Sequence, residues 1–381
     1  MNDRGRGMAA AANWIRHPGF YIKEELDERG WSQRDLAFIL GVPEQSVNLI
    51  VSGKKGISPD MARALGDAFD VHPDLFANLQ KSYDMAQAKT PSPGVSLLGR
   101  MHVRYPVREM VNRGWLVNSD ANMLEEQLVR FFGVSDPSEI PYLAHAAKKL
   151  NSYEEREVPP AQLAWLFRVR QIARSISVPR YSEAKLREVV QQLNSLVIAP
   201  EQTREVPRLL GECGIRFVIV EKLPNSKIDG VCFWLDPHSP VIGMSIQRDT
   251  IDNFWFVVRH EIEHVLRKDG TTAEIIDGDL FRSDDAEVKP EEEIANAAAK
   301  DFCVVTDKFE SFMIRKKPFY YERDVIAYSR IVGRHPGIVV GQMQRAMDNY
   351  SYLTRHLAKI RQFVASSAIV DGWGHTLAVS L

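Results

Sequence analysis

Helical spacing of apolar residues dominates the first half of the chain. Hydrophobic side chains recur at i, i+3 and i+4, as on one face of an α-helix, in two long stretches. A Thr-Pro-Ser-Pro-Gly segment at residues 90–94 interrupts this pattern, and its prolines and glycine favour a domain boundary. We therefore predict an N-terminal helical domain over residues 1–89, a linker over 90–96 and a helical middle region over 97–200.

The pattern changes after residue 201. Short runs rich in Val, Ile and Phe, bounded by Pro, Gly or Asp, predict three strands: Ile215–Val220, Val231–Leu235 and Val241–Ile246. A strongly apolar helix follows from near Asp249 to Lys268. We interpret the third strand, which lies just before this helix, as a candidate edge strand that pairs with an extended peptide. These elements predict a small α+β core over residues 201–345, followed by a tail over 346–381.

Composition narrows the class of protein. Of the 381 residues, 45% are hydrophobic and 26% are charged, which is typical of soluble globular proteins. No run approaches about 18 apolar residues, so we expect no membrane-spanning helix and no membrane partner. The three cysteines are odd in number and irregularly spaced, which suits a reducing compartment. We therefore expect a cytoplasmic protein.

The N-terminal domain contains a helix-turn-helix pattern. Ser32 and Asp35 are spaced as a capping box at the start of one helix, and Gly41 suits the left-handed turn that ends it. Pro43 then opens a second helix, which runs to Ser52. This second helix has an apolar inner face and a polar outer face, as expected of a DNA recognition helix.

Candidate DNA contacts lie on and beside this helix. Gln45 and Asn48 can read base edges through their amides, whereas neighbouring basic residues can bind phosphates. Residues 1–90 contain eleven basic and twelve acidic residues, so phosphate contacts must be local. The candidate DNA-binding residues are Gln33, Arg34, Glu44, Gln45, Ser46, Asn48, Lys54 and Lys55.

The helix-turn-helix segment resembles the Xre/Cro family. Residues Ser58–Tyr83, which include Ala64-Leu65-Gly66 and Asn78-Leu79-Gln80, are similar to HigA-type antitoxins. The resemblance implies a homodimer that binds double-stranded operator DNA, represses its own operon and often neutralises a neighbouring toxin. A dimer also follows from the short recognition helix, because one such helix reads few base pairs.

A second motif lies inside the apolar helix. His260 and His264, spaced i and i+4, lie on one helical face within reach of a single ion, and Glu261 can act on water at that ion. Two histidines and a carboxylate suit catalytic zinc. Because the helix is apolar on most sides, buried histidines and a glutamate there are costly unless something pairs with them. The third ligand should come from a second helix, for which Glu291, Glu292 and Glu293 are candidates.

The two segments together resemble the ImmA/IrrE zinc metallopeptidases. His-Glu-x-x-His followed by Glu-x-x-Ala-Asn carries the similarity, which extends over about 124–344 and includes Arg130-Phe131-Phe132-Gly133-Val134. The resemblance implies Zn²⁺ bound by His260, His264 and Glu292, with Glu261 as the general base. Glu263 stands where the family commonly has a small residue, and Ala297-Ala298-Ala299 lacks the usual aromatic residue, which bears on substrate preference.

These features predict a mostly helical α+β protein. Its parts are an all-α helix-turn-helix domain, a helical region and a zincin-like domain with a small three-stranded sheet. The predicted function is a DNA-binding transcriptional regulator whose zinc metallopeptidase domain cleaves a partner repressor or antitoxin, encoded nearby, at one site. The alternative is a HigA-like antitoxin that represses its own operon and binds a toxin, with the peptidase fold serving as a partner-binding or sensing platform.

Overall fold

The structure is a computed structural model that describes residues 15–89, 93–135, 159–271, 275–277 and 290–379. Residues 90–92 of the predicted linker lie outside this part. The chain divides into two compact units, Met1–Ser92 and Pro93–Leu381. None of the described helices is both long enough and apolar enough to cross a membrane.

The first unit is entirely helical in its described part. Its helices are α1 (Pro18–Arg29), α2 (Gln33–Leu40), α3 (Glu44–Val51), α4 (Pro59–Phe69) and α5 (Asp74–Gln87). Leu36, Val47 and Ile50 turn inward from α2 and α3. They pack in one core with Phe69 and Phe76, whose ring centres are 5.9 Å apart. This core fixes the angle between α2 and α3.

The second unit combines many helices with one sheet. Its first helices are α6 (Pro93–Arg104), α7 (Val107–Asn112), α8 (Ala121–Phe132), α9 (Pro160–Ser175), α10 (Glu183–Leu196) and α11 (Val206–Glu212). The later helices are α12 (Ile251–Arg267), α13 (Pro290–Cys303), α14 (Thr306–Lys316), α15 (Glu322–Val332), α16 (Pro336–Ala346) and α17 (Arg361–Val364). Short 3-10 helices span Pro200–Glu205 and Thr354–His356. The mostly helical α+β class is confirmed.

Within the described residues the sheet has five strands, whereas the sequence predicts three. They are β1 (Arg216–Val220), β2 (Gly230–Trp234), β3 (Pro240–Met244), β4 (Ile275–Asp277) and β5 (Ile369–Asp371), in the order β4-β2-β3-β1-β5. β1 is parallel to β3 and β5, whereas β2 is antiparallel to β3 and β4. The additional strands have three residues each, too few to show an alternating pattern.

Two sequence-based interpretations are corrected by this order. The run at Val241–Ile246 forms β3, which lies between β1 and β2 and offers no edge to a peptide; β4 and β5 are the edge strands. The segment over 346–381, predicted as a tail, supplies β5. It therefore belongs to the sheet of the second unit.

Helix α12 connects the sheet to the helical layer. It packs chiefly against α13 and also contacts α16 and β2. Phe254, Trp255 and Val258 are buried on several sides of the helix, which explains its apolar sequence. The packing of α12 on α13 brings together residues about thirty positions apart.

Candidate nucleic-acid interface and metal centre

The start and end of α2 are formed by local hydrogen bonds. The backbone N–H of Asp35 donates to Ser32 Oγ at 3.2 Å, and that of Ser32 donates to Asp35 Oδ2 at 2.8 Å. Hydrogen bonds from Ser32 lower the pKa of Asp35. Gly41 ends the helix at φ 64°, a conformation that glycine adopts without a steric penalty. The predicted capping box and glycine turn are both present.

Helix α3 presents a polar face to solvent. Val47 and Ile50 are buried, whereas Gln45 and Asn48 are exposed one turn apart on the opposite side. Ser46 is half-buried beside them. The helix begins at Glu44, one residue after Pro43, and has no side-chain cap. Both amide side chains are therefore exposed on the outer face of α3.

The predicted phosphate-contacting residues surround α3. Arg34 Nε lies 3.3 Å from Glu44 Oε2, in an exposed ion pair that links the starts of α2 and α3. Lys54 and Lys55 are exposed, and their backbone N–H groups donate to a carbonyl in the last turn of α3. Gln33 is half-buried at the first position of α2. Two exposed lysines therefore follow the C-terminus of α3, while Arg34 is paired with an acid.

A cluster of three possible ligands forms where α12 meets α13. His260 and His264 on α12, together with Glu292 in the first turn of α13, place one ligand atom each within 4.8 Å of one another. Glu292 lies 3.3 Å from His260 Nε2 and 3.6 Å from His264 Nε2. Glu293 is exposed and Glu291 half-buried. Of the three candidate glutamates, Glu292 is the one that reaches both histidines.

The geometry of this cluster fits zinc. The two Nε2 atoms face each other at 3.1 Å. Two zinc–nitrogen bonds of about 2.0–2.1 Å at a tetrahedral angle would hold their nitrogens about 3.3 Å apart. Both imidazoles are fully buried, and the Glu292 carboxylate reaches them from the partly exposed start of α13. Little movement would be needed to bind the ion.

The charge of Glu292 also suits a metal ligand. Burial acts to raise the pKa of Glu292, but hydrogen bonds and charge interactions with His260 and His264 outweigh it. They hold the pKa of this carboxyl well below its usual range. Glu292 is therefore ionised at neutral pH, which is the form that binds metals.

Asp269 orients one of the histidines and was missed by the sequence analysis. Its Oδ2 lies 3.0 Å from His264 Nδ1, so a proton on Nδ1 leaves the Nε2 lone pair directed at the cluster. Asp269 is held by its own backbone, whose N–H donates to the carbonyl of His264 and whose C=O accepts from Trp234 Nε1. A negative charge just after a helix C-terminus interacts unfavourably with the helix dipole. The unusual position of Asp269 in the sequence could therefore have indicated a functional role.

Gly230 makes room for the candidate base. Glu261 is fully buried on α12, and its carboxylate lies against the first residue of β2, Gly230. A Cβ on Gly230 would overlap Glu261 Oε1. Nothing local distinguishes this glycine in the sequence, because the need for it arises from the approach of β2 to α12. The roles of Gly230 and Asp269 therefore become apparent only from the tertiary structure.

Comparison with known proteins identifies the first unit. The family described as helix-turn-helix (HTH_3) matches residues 22–76. Virulence-associated protein A' of Dichelobacter nodosus is 33% identical over 110 residues, which are 29% of this chain and 91% of that protein. The uncharacterized HTH-type transcriptional regulator YddM of Escherichia coli K12 is 31% identical over 72 residues, 19% of this chain and 77% of that protein.

One solved structure is similar in sequence over a short span. It is an addiction module antidote protein of a HigA family from Coxiella burnetii, which is 29% identical. The match covers 23% of this chain and 92% of that chain, with a TM-score of 0.19. The matched part of this chain is small, and the family of the first unit follows from the sequence matches.

Proposed function

By its match to a helix-turn-helix transcriptional regulator over most of that protein's length, this chain belongs to that family, and we propose that it joins an operator-binding unit to a zinc metallopeptidase unit. The first unit binds double-stranded operator DNA as a homodimer and represses its own operon. The second unit cleaves a partner protein, a repressor or antitoxin encoded nearby, at one site. The two proposed activities belong to separate compact units, so substitutions in one unit of the full chain can test one activity.

One observation carries the enzymatic part of the proposal. His260, His264 and Glu292 come from two helices and converge within 4.8 Å, with both histidines fully buried. Burying two imidazoles and a carboxylate together is costly unless they are paired, and binding one metal cation would pair all three. The Asp269 contact to His264 is the carboxylate–histidine arrangement common at zinc sites.

Each residue has a distinct role in the proposed reaction. His260, His264 and Glu292 would hold Zn²⁺, which supplies a Lewis acid that polarises a peptide carbonyl and acidifies water. Glu261 neighbours a ligand on α12 and accepts the proton from the attacking water, then delivers it to the leaving amine. Gly230 keeps space for the Glu261 carboxylate. The resemblance to ImmA/IrrE peptidases supports a protein substrate.

The decisive experiment compares two carboxylates on the same helix. Glu261→Gln removes the proposed base, whereas Glu263→Gln removes a carboxylate that pairs with Arg259 at 2.8 Å. Each neighbouring gene product is coexpressed with wild type and with both variants, and fragments are identified by intact-mass spectrometry. We expect one discrete fragment with wild type and Glu263→Gln, and cleavage at least about 100-fold slower with Glu261→Gln.

Other outcomes assign a different function. Equal fragmentation with wild type and Glu261→Gln would reject Glu261 as the base. Absence of any fragment, combined with a stable complex between this chain and a neighbouring toxin, would favour the antitoxin whose second unit is a binding platform. Zinc content is measured on the same samples, so loss of the metal is separated from loss of the base.

A further inference from the structure

A positively charged cavity lies beside the start of α12. It has a volume of about 640 Å³, within the usual range of small-molecule sites. Its wall comes from the segment before α12, from α16 and from the segment after it. The lining includes four cationic residues, Arg248, Arg345, Lys359 and Arg361, and two acidic residues, Asp249 and Asp252.

The acids of this cavity are engaged by the protein. Asp249 Oδ1 accepts backbone N–H groups from Ile360 and Arg361 at 3.0 and 2.8 Å, so it holds the start of α17. Its other oxygen is 3.9 Å from the Arg361 guanidinium. Asp252 Oδ2 lies 3.9 Å from Arg345. With two acids against four cations, the lining carries an excess of about two positive charges.

Arg345 is a largely buried cation of the cavity. Its side chain is 16% exposed, and the guanidinium lies 4.3 Å from the ring centre of Phe256. Burial lowers the pKa of Arg345, and the positive charge of Arg248 lowers it further, against the opposing effect of Asp252. Like charges facing one cavity repel each other, and an anion between them would relieve that repulsion.

A second cavity continues from the first. It has a volume of about 700 Å³ and shares Asp249, Lys359 and Arg361 with its neighbour. It is also lined by Trp373, whose ring centre lies 4.5 Å from the Arg361 guanidinium. Tyr350 lines the first cavity. The space is therefore larger than an inorganic anion requires, and it offers aromatic surface on both sides of the shared cations.

We infer that these adjoining cavities bind a small organic phosphate monoester, with the phosphate between Arg248, Lys359 and Arg361. A monoester carries nearly two negative charges at neutral pH, which matches the excess charge of the lining. Arginine binds phosphate through two parallel hydrogen bonds, and lysine binds it as a point charge. The organic group lies in the remaining volume, against Tyr350 or Trp373.

The site is separate from the candidate metal centre yet physically connected to it. Asp252 precedes His260 by eight residues, about 12 Å along α12. Arg345 contacts the Phe256 ring, and that ring stacks on His260 with centres 6.3 Å apart. The ligand is therefore too far away to be the group that is cleaved. Its binding requires neither zinc nor peptidase activity.

The test measures binding by isothermal titration calorimetry on the full chain, with and without zinc. The probes are adenosine monophosphate, inorganic phosphate and adenosine. Lys359→Glu places a negative charge in the shared wall at an exposed position, whereas Lys308→Glu makes the same change on exposed α14, away from both cavities. Circular dichroism checks that both variants fold as wild type does.

We expect saturable binding of adenosine monophosphate at one site per chain. Affinity should fall at least about tenfold in Lys359→Glu, the low end for a charge-assisted hydrogen bond, and stay unchanged in Lys308→Glu. Adenosine binding as tightly as its monophosphate would overturn the inference, as would equal affinity in the two variants. Inorganic phosphate binding more tightly than the nucleotide would reject an organic ligand. If neither adenosine monophosphate nor inorganic phosphate saturates the protein by about 10 mM, the proposed site is rejected.

Discussion

At the scale of single residues, Asp269 affects the candidate metal centre without being one of its ligands, because it contacts His264. Asp269→Asn keeps the shape of the side chain but removes the charge that orients His264 at 3.0 Å. We expect zinc affinity to fall about 10–100-fold, as is usual when such a partner is lost. Competition with a chromogenic chelator measures the change.

Glu263→Gln is the control for that measurement. Glu263 lies between the two histidines in sequence but pairs with Arg259 and not with the cluster. Its zinc affinity should equal that of wild type. If Asp269→Asn also binds zinc as tightly as wild type, Asp269 does not orient His264 and the assigned hydrogen bond has no part in metal binding.

Gly230 supports a second prediction at this scale. Gly230→Ala forces a methyl group into the space of the Glu261 carboxylate, so that carboxylate or β2 must move. Zinc content should be retained, while cleavage of the partner falls and the free energy of unfolding drops by about 1–3 kcal/mol. Gly211→Ala is the matched control, since a Cβ there meets its nearest atom at 4.0 Å. Unchanged cleavage in Gly230→Ala would contradict the placement of Glu261.

At the scale of secondary-structure elements, α2 and α3 act as a pair whose inner faces are apolar. Val47 and Ile50 hold α3 in place, so its outer face can be altered without unfolding the unit. Gln45→Ala and Asn48→Ala each remove an exposed amide. We expect each to reduce operator affinity by about 1–3 kcal/mol and to relax sequence preference at one base pair. Gel-shift titration against a library of operator variants measures both effects.

Substitution of Lys54, which follows α3, should have a different effect from substitution of the two amides. Lys54 is exposed, and its side chain is a candidate phosphate contact. Lys54→Ala should weaken binding to all sequences alike and reduce the salt dependence by about one charge. The interpretation of α3 as the recognition helix fails if Gln45→Ala and Asn48→Ala behave as Lys54→Ala does.

The helices and strands also show which secondary-structure elements can be predicted from sequence patterns. The long helices and the strands of five residues appear at nearly the predicted positions, because periodicity over several turns or alternations is a strong signal. β4 and β5 have three residues each and gave no such signal. The order of strands depended on pairing across the sheet, which is why β3 proved to be central.

At the scale of the whole second unit, the C-terminal segment closes the fold. Asp371 in β5 accepts hydrogen bonds from Arg168 on α9 and from Trp115 Nε1, the latter at 3.1 Å. Both charged side chains are buried, at 3% and 1% exposure. Arg168 also donates to the carbonyl of Leu377 at 2.6 Å. The buried ion pair between Arg168 and Asp371 thus connects β5 to α9.

Removing one member of this pair should be strongly destabilising. Asp371→Ala leaves the Arg168 charge buried without its partner, and we expect a loss of about 3–5 kcal/mol in the free energy of unfolding. Urea unfolding followed by circular dichroism measures it. Glu183→Ala, which breaks an exposed ion pair with Arg187, should cost about 1 kcal/mol or less. Equal losses in the two variants would show that the buried pair does not hold the C-terminal strand.

Features that depend on local geometry can be predicted from short segments of the chain. Helical periodicity alone placed His260, Glu261 and His264 on neighbouring positions of one buried helix, and the Ser32–Asp35 spacing determined where α2 begins. These features need only a few consecutive residues. Local preferences and hydrophobic periodicity therefore encode them directly.

Features that depend on contacts between distant segments become visible only in the folded chain. Glu292 joins His264 because α13 packs on α12; Gly230 is required because β2 approaches Glu261. Asp371 meets Trp115 across 256 positions of the chain. In each case the role of a residue depends on a neighbour that is distant in the sequence. No pattern within a single segment predicts that neighbour.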